Sequence, residues 1–199
     1  MVLKIVKYNA GNIQSVLFAL ERIGVNAEVT DDIEKLQSAD KVIFPGVGEA
    51  STAMNYLRER NLDKVIKDLK QPVLGVCLGM QLMCDSSEEN ETDCLGIFPI
   101  RVKKFTAVNN EKDNVKVPQI GWNNIYNKKT NLFANLPNNY CYFVHSYFAP
   151  LSENTIATAD YVQPFSAALY KNNFYGIQFH AEKSADAGEK ILRNFISAA

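Results

Sequence analysis

A cysteine set between two glycines, Gly75-Val76-Cys77-Leu78-Gly79, ends one apolar run and opens a stretch of helix formers. The run Pro72-Val73-Leu74-Gly75-Val76 has the length and composition of a buried strand, and Gly79-Met80-Gln81-Leu82-Met83 continues as helix. A residue at that junction projects from a sharp turn, as the nucleophile does in the Gly-x-Ser-x-Gly elbow. Unpaired N–H groups and the positive end of the following helix lower a thiol's pKa and stabilise the oxyanion formed when a thiolate attacks a carbonyl. Cys77 is therefore a candidate nucleophile. The competing reading is a structural cysteine beside a packing glycine, because free cysteine is among the most buried residue types.

A cysteine nucleophile needs a base, and the chain has two histidines, His145 and His180. His180 is the better placed. In Tyr175-Gly176-Ile177-Gln178-Phe179-His180-Ala181-Glu182-Lys183-Ser184 an alternating strand runs into a polar corner, where an imidazole can reach a neighbouring strand's elbow. Glu182 can accept a hydrogen bond from the second ring nitrogen, fixing the tautomer and supporting the imidazolium. Singly, a strand-end histidine and a loop carboxylate are ordinary; with the cysteine elbow they compose a Cys-His-Glu triad. His145 alternates with apolar positions in Tyr142-Phe143-Val144-His145-Ser146-Tyr147 and is expected to support a pocket rather than to transfer protons.

Strands and helices alternate in the first half. Strands are expected near Leu3 to Tyr8, Ala27 to Thr30 and Lys41 to Phe44, with helices from about Asn12 to Ile23 and between Glu49 and Leu69. That order favours an α/β fold, a central mainly parallel sheet with helices on both faces and active groups at the carboxyl ends of its strands. Beyond Cys94 the texture becomes β-rich. The runs Ile97 to Phe105, Tyr140 to Phe148, Thr155 to Val162 and Phe165 to Tyr170 are separated by turn residues, Asn109 to Asn114 reads as a mobile hairpin tip, and Ala185 to Ile196 as a closing helix.

At 199 residues and 47% hydrophobic content the chain can bury a full core, and its length suggests one domain, 1–199. A net charge of -1 gives no electrostatic reason to expect nucleic acid or a membrane surface as partner. The start, Met1 to Lys7, is too short and interrupted for a signal peptide, so a cytoplasmic location is expected. Cys77, Cys84, Cys94 and Cys141 have neither metal-ligand nor disulfide-framework spacing; no metal and no cofactor are expected.

The chain resembles the class I (triad) glutamine amidotransferases over essentially its full length, and within them the glutaminase subunits of imidazole glycerol phosphate synthases. The elbow and His180-Ala181-Glu182 carry the superfamily. Pro45-Gly46-Val47-Gly48, Gly121-Trp122-Asn123 and Glu182-Lys183-Ser184 carry the subfamily, supported by Tyr8-Asn9-Ala10-Gly11-Asn12, Ser86-Ser87-Glu88-Glu89, Val117-Pro118-Gln119-Ile120 and Val144-His145-Ser146-Tyr147. The resemblance implies a flavodoxin-like amidotransferase fold and hydrolysis of L-glutamine through a Cys77 thioester. It also implies a (β/α)8 cyclase partner in a heterodimer, which consumes the ammonia in histidine biosynthesis. No acceptor domain is visible in this chain, as that division of labour requires.

By the same resemblance, the N–H groups of Val47 and Leu78 hold the oxyanion, and Gly48, Gln81, Glu89 and the Ser146-Tyr147 backbone bind glutamine. Gln81 lies one helical turn after Cys77. A peptide plane flanked by Gly46 and Gly48 can rotate between active and inactive orientations. Asn12, Trp122, Tyr142 and Lys183 match positions at the subunit interface. Two residues depart from the pattern: Gln119 stands where histidine is usual, touching the expected interface, and Ala181 replaces the proline of His-Pro-Glu-Lys-Ser. Three other readings remain open: a paralogous amidotransferase serving another synthase, a cysteine hydrolase of related fold, and a non-catalytic binding module.

Overall fold

The computed structural model describes residues 1–9, 12–109 and 114–197. Through the first half β1 (Leu3–Val6), α1 (Ile13–Arg22), β2 (Ala27–Thr30), α2 (Ile33–Gln37), β3 (Lys41–Gly46), α3 (Ala50–Glu59), α4 (Leu62–Asp68), β4 (Val73–Cys77) and α5 (Leu78–Leu82) alternate. Then follow β5 (Cys84–Ser87), β6 (Thr92–Asp93), β7 (Phe98–Lys104), β8 (Val108–Asn109), β9 (Asn114–Val115), β10 (Gln119–Asn124), β11 (Tyr140–His145) and β12 (Tyr147–Phe148). The chain closes with β13 (Thr155–Asp160), β14 (Pro164–Lys171), β15 (Phe174–Ile177) and α6 (Ala185–Ser197).

The central sheet runs β13-β14-β15-β4-β3-β1-β2. β15, β4, β3, β1 and β2 are parallel, and β13 and β14 extend the edge in antiparallel fashion. With β15 in fifth place the parallel part has the flavodoxin-like order 2-1-3-4-5. Successive residues of one strand feed opposite faces: Ile43 packs with α1 and α6 through Leu20, Ile191 and Phe195, while Val42 and Phe44 pack with α3 and α4 through Met54, Leu57 and Ile66. Each such side chain, fully buried, contributes about 1.5–3 kcal/mol. Burial on both faces is why β3 and β4 read as unbroken apolar runs rather than alternating ones.

Between α5 and β13 the chain leaves this sheet and builds a smaller one, β12-β7-β5-β6, with the ribbons β8-β9 and β10-β11. The expected single strand from Tyr140 to Phe148 is broken at Ser146, since β11 pairs with β10 and β12 with β7. α2, β5 and β10 are structure that the local sequence does not announce. α2 is five residues long, too short for a periodic signal, and β10 contains Gly121 at φ +134°. Of the hairpin tip expected from Asn109 to Asn114, residues 110–113 lie outside the described residues, as do Ala10 and Gly11 of the N-terminal motif; the flanks β8 and β9 pair antiparallel. Among the described residues no helix is long and apolar enough to cross a membrane.

Candidate active site

Cys77 ends β4 and α5 begins at the next residue, so no loop absorbs the reversal of direction. The backbone turns at Cys77 itself, at φ 53° and ψ -110°. A non-glycine residue there stores on the order of 1–3 kcal/mol, retained because the surroundings over-determine it. The flanking glycines are part of that constraint. A Cβ on Gly79 would lie 1.8 Å from the Phe44 carbonyl oxygen, and one on Gly75 would lie 2.9 Å from the Met80 nitrogen and 2.3 Å from Met83 Cε. α5 can therefore settle on β3 and β4 only where both positions lack a side chain.

β15 lies beside β4 in parallel, Gly176 opposite Gly75 and Ile177 opposite Val76, so the chain leaving β15 passes the elbow. His180 follows, with its N–H bonded to the Tyr142 carbonyl at 2.9 Å. Its Nδ1 lies 2.7 Å from Glu182 Oε1, and each side chain is 4% exposed. A carboxylate only accepts, so Nδ1 carries the proton and Nε2 is left for Cys77. Burial favours neutral His180, but hydrogen bonds to the Cys77 sulfur and to Glu182 outweigh it and raise the imidazole from 6.5 to about 10. Cys77 Sγ lies 3.7 Å from the Val144 carbonyl oxygen and 3.7 Å from Gln178 Nε2.

A cavity of about 310 Å³ opens in front of the sulfur, lined among others by Val47, Gly48, Leu78, Ser146, Tyr147 and Lys183. Val47 follows the end of β3, next to Cys77 across the sheet, where Gly46 pairs with Cys77. Tyr8 Oη donates to the Pro45 carbonyl at 2.6 Å, fixing the base of this segment. Gly48, at φ +114°, occupies a conformation that a side chain would strain. Glu89 lines the cavity from a 3-10 turn and accepts the Ala50 N–H at 2.8 Å. Burial raises its pKa and the Ala50 bond opposes the rise.

Gln81 also lines the cavity, with Nε2 bonded to the Tyr147 carbonyl at 2.8 Å and to Gln178 Oε1 at 2.9 Å. The Tyr147 carbonyl is thus turned inward, and accepts His145 Nδ1–H as well, at 2.7 Å. Burial lowers His145 to about 4, so it is a neutral hydrogen-bond donor here. Its Nε2 is buried without a partner among the described residues, as is Oε1 of Gln119, which faces His145 across the β10-β11 ribbon.

Alternation along that ribbon divides its residues. Gln119 is 3% exposed and belongs to the inner face, so it does not form part of the outer surface where its family position had suggested a contact. Ile120 and Trp122, 64% and 52% exposed, share the outer face, and Trp122 meets Tyr142 edge-on at 5.8 Å. Tyr142 reaches His180 through backbone: its N–H donates to Ser184 Oγ at 2.9 Å, and that hydroxyl donates to the His180 carbonyl at 2.6 Å. Asn12 is exposed at the head of α1, which packs against the turn carrying Lys183. Sequence reasoning did not single out Ile120, Gln178, Val144 or the Tyr8 hydroxyl. Ile120 was legible from its two-residue spacing to Trp122, and Gln178 as a lone polar residue in the apolar run that continues β15; the other two make contacts that tertiary folding creates.

A strained cysteine at a strand-to-helix elbow, faced by an imidazole held by a carboxylate, is the arrangement of thiol-dependent enzymes of the doubly wound α/β class. The model of the class I glutamine amidotransferase family matches residues 5–199, and the chain belongs to that family. It is 56% identical to imidazole glycerol phosphate synthase subunit HisH of Bacteroides fragilis over 98% of this chain and 99% of the relative. The same subunit of Pasteurella multocida is 47% identical over 96% of each. In fold it is similar to a structure described as a glutamine amidotransferase, with TM-score 0.74 and 17% identity over 98% of this chain and 97% of that one. A glutamine amidotransferase from Thermotoga maritima aligns with TM-score 0.59 and 15% identity over 98% and 80%.

Proposed function

We propose that the chain acts, as one domain, as the glutaminase subunit of an imidazole glycerol phosphate synthase, with Cys77, His180 and Glu182 as its catalytic triad. The observation that carries this reading is the strained Cys77 beside a His180–Glu182 pair at 2.7 Å, with Cys77 and His180 opening on one cavity of about 310 Å³. The Cys77 thiolate attacks the carboxamide carbon of L-glutamine, and the N–H groups of Val47 and Leu78 stabilise the oxyanion. The tetrahedral intermediate collapses as the His180 imidazolium protonates the departing ammonia, leaving a thioester. His180 then takes a proton from water, the hydroxide attacks the thioester, and glutamate leaves while the proton returns to the site. Gly48, Gln81, Glu89 and the Ser146-Tyr147 backbone hold the amino acid end of the substrate, with Glu89 opposite its ammonium.

Ammonia passes to a (β/α)8 cyclase subunit in a heterodimer, which makes imidazole glycerol phosphate and an aminoimidazole carboxamide ribotide for histidine synthesis. Asn12, Trp122, Tyr142 and Lys183 form the docking surface, joined by Ile120. Docking reaches the triad through the Tyr142–Ser184–His180 hydrogen bonds and the peptide plane at Val47, which turns its N–H toward the cavity when the partner is loaded. A cytoplasmic setting suits four free thiols.

The test mixes this chain with its cyclase, glutamine and the phosphoribulosyl acceptor, and follows glutamate and imidazole glycerol phosphate together. One-to-one formation is expected, as is faster trapping of Cys77 by a glutamine analogue when partner and acceptor are present. Glutamate without the imidazole product would instead favour a paralogous amidotransferase serving another synthase.

A further inference from the structure

Gln178 follows β15 and is wholly buried, with 0% exposure, behind the nucleophile rather than in the cavity. Its amide touches two working groups at once: Nε2 lies 3.7 Å from Cys77 Sγ, and Oε1 accepts Gln81 Nε2–H at 2.9 Å. We propose that Gln178 is a further catalytic residue of this site, its N–H stabilising the Cys77 thiolate and its carbonyl fixing the Gln81 amide so that Gln81 offers glutamine only an acceptor. This rests on Cys77 being the nucleophile.

The orientation of both amides follows from one fixed group. The Tyr147 carbonyl can only accept, so the nitrogen end of Gln81 faces it, at 2.8 Å. The same nitrogen reaches Gln178, whose oxygen end must therefore face Gln81 and whose nitrogen end must face the sulfur. Both N–H bonds of Gln81 are then committed, and its Oε1, without a partner among the described residues, is left to accept from the ammonium of an amino acid. His145 holds the origin of the chain, donating Nδ1–H to the same carbonyl at 2.7 Å.

At the sulfur the two neighbours suit different protonation states. The Val144 carbonyl, 3.7 Å away, accepts from the thiol S–H and repels a thiolate. When the proton passes to His180 Nε2 that bond is lost, and the Gln178 N–H remains as the donor that compensates the new charge. A buried hydrogen bond to an ion outweighs one between neutral groups, so the amide favours the reactive form.

Two variants separate the two functions. Gln178→Met removes both the donor and the acceptor at similar volume, whereas Gln178→Glu keeps an oxygen for Gln81 and removes the donor at the sulfur. Iodoacetamide alkylation of Cys77, located by peptide mass and followed against pH in the chain bound to its cyclase, should shift its midpoint upward by about one pH unit in both variants, roughly a tenfold loss of thiolate. The KM for glutamine should rise about tenfold in Gln178→Met and stay within about twofold in Gln178→Glu. An unshifted midpoint in either folded variant, or an equal rise in KM in both, overturns the assignment. Alkylation at a different cysteine in the wild-type chain overturns the Cys77 reading itself, and this one with it.

Discussion

Replacing Glu182 by Gln keeps the shape and the acceptor oxygen of the side chain but removes the charge that faces His180 at 2.7 Å, where both side chains are 4% exposed. The rise of His180 from 6.5 to about 10 amounts to about 5 kcal/mol between its protonation states, the net of a burial cost and of larger gains from the Cys77 sulfur and the Glu182 carboxylate. Glu182 then accounts for roughly 2 kcal/mol of folding stability. The sign follows from linkage: a histidine whose folded pKa lies above its unfolded value contributes in full below about 6.5 and loses that contribution as pH rises through about 10. Urea unfolding of wild type and Glu182→Gln at pH 6 should therefore differ by roughly 2 kcal/mol, with the difference gone by about pH 10.5. Glutaminase kcat should fall by about 10² to 10⁴, because the imidazolium that protonates the departing ammonia loses its counter-charge. A stability difference that stays constant across this range would refute the charge argument and leave only a neutral hydrogen bond. Unchanged kcat would remove Glu182 from the triad.

Because Cys77 sits at φ 53° and ψ -110°, Cys77→Gly should be more stable than Cys77→Ala by about 1–2 kcal/mol, and both should lack glutaminase activity; thermal melts and a glutamate assay decide it. Equal melting temperatures would mean that the elbow is not strained. Gly79→Ala places a methyl group against the Phe44 carbonyl oxygen and should cost more than about 3 kcal/mol, read as a loss of soluble, cooperatively melting protein. Ile120→Asp, on the exposed face of the ribbon, should leave the isolated chain's melting within about 0.5 kcal/mol of wild type while weakening calorimetric binding to the cyclase by about tenfold or more. Undiminished affinity would move the docking surface off the ribbon.

Wherever one element carries its own signal, the chain announces itself. The strands buried on both faces are apolar runs, the elbow shows its paired glycines, and the two-residue step from His180 to Glu182 is the step that lets one side chain hold the other. Those local features led to the parallel sheet and to Cys77, His180 and Glu182, whose side chains the fold brings close to one another. The break at Ser146 was not legible, because Tyr140 to Phe148 is continuously strand-like and only the competition between β10 and β7 for partners divides it. The burial of Gln119 was not legible for a related reason: which residues of β10 face inward is decided by its register with β11, and that register sets Gln119 opposite buried His145.

By itself the sequence offered the candidate reacting groups, since a thiol, an imidazole and a carboxylate have their chemistry wherever they stand, and it determined the elbow, since only glycine fits beside it. Tertiary structure alone decided what surrounds the sulfur. Parallel pairing of β15 with β4 brings Gln178 behind Cys77, β11 supplies the Val144 carbonyl, and the bonds through Tyr147 set which end of each amide points where. The physical reason is that hydrogen bonds are directional and short, so the role of a buried amide is fixed by partners far away in the chain rather than by its neighbours in sequence.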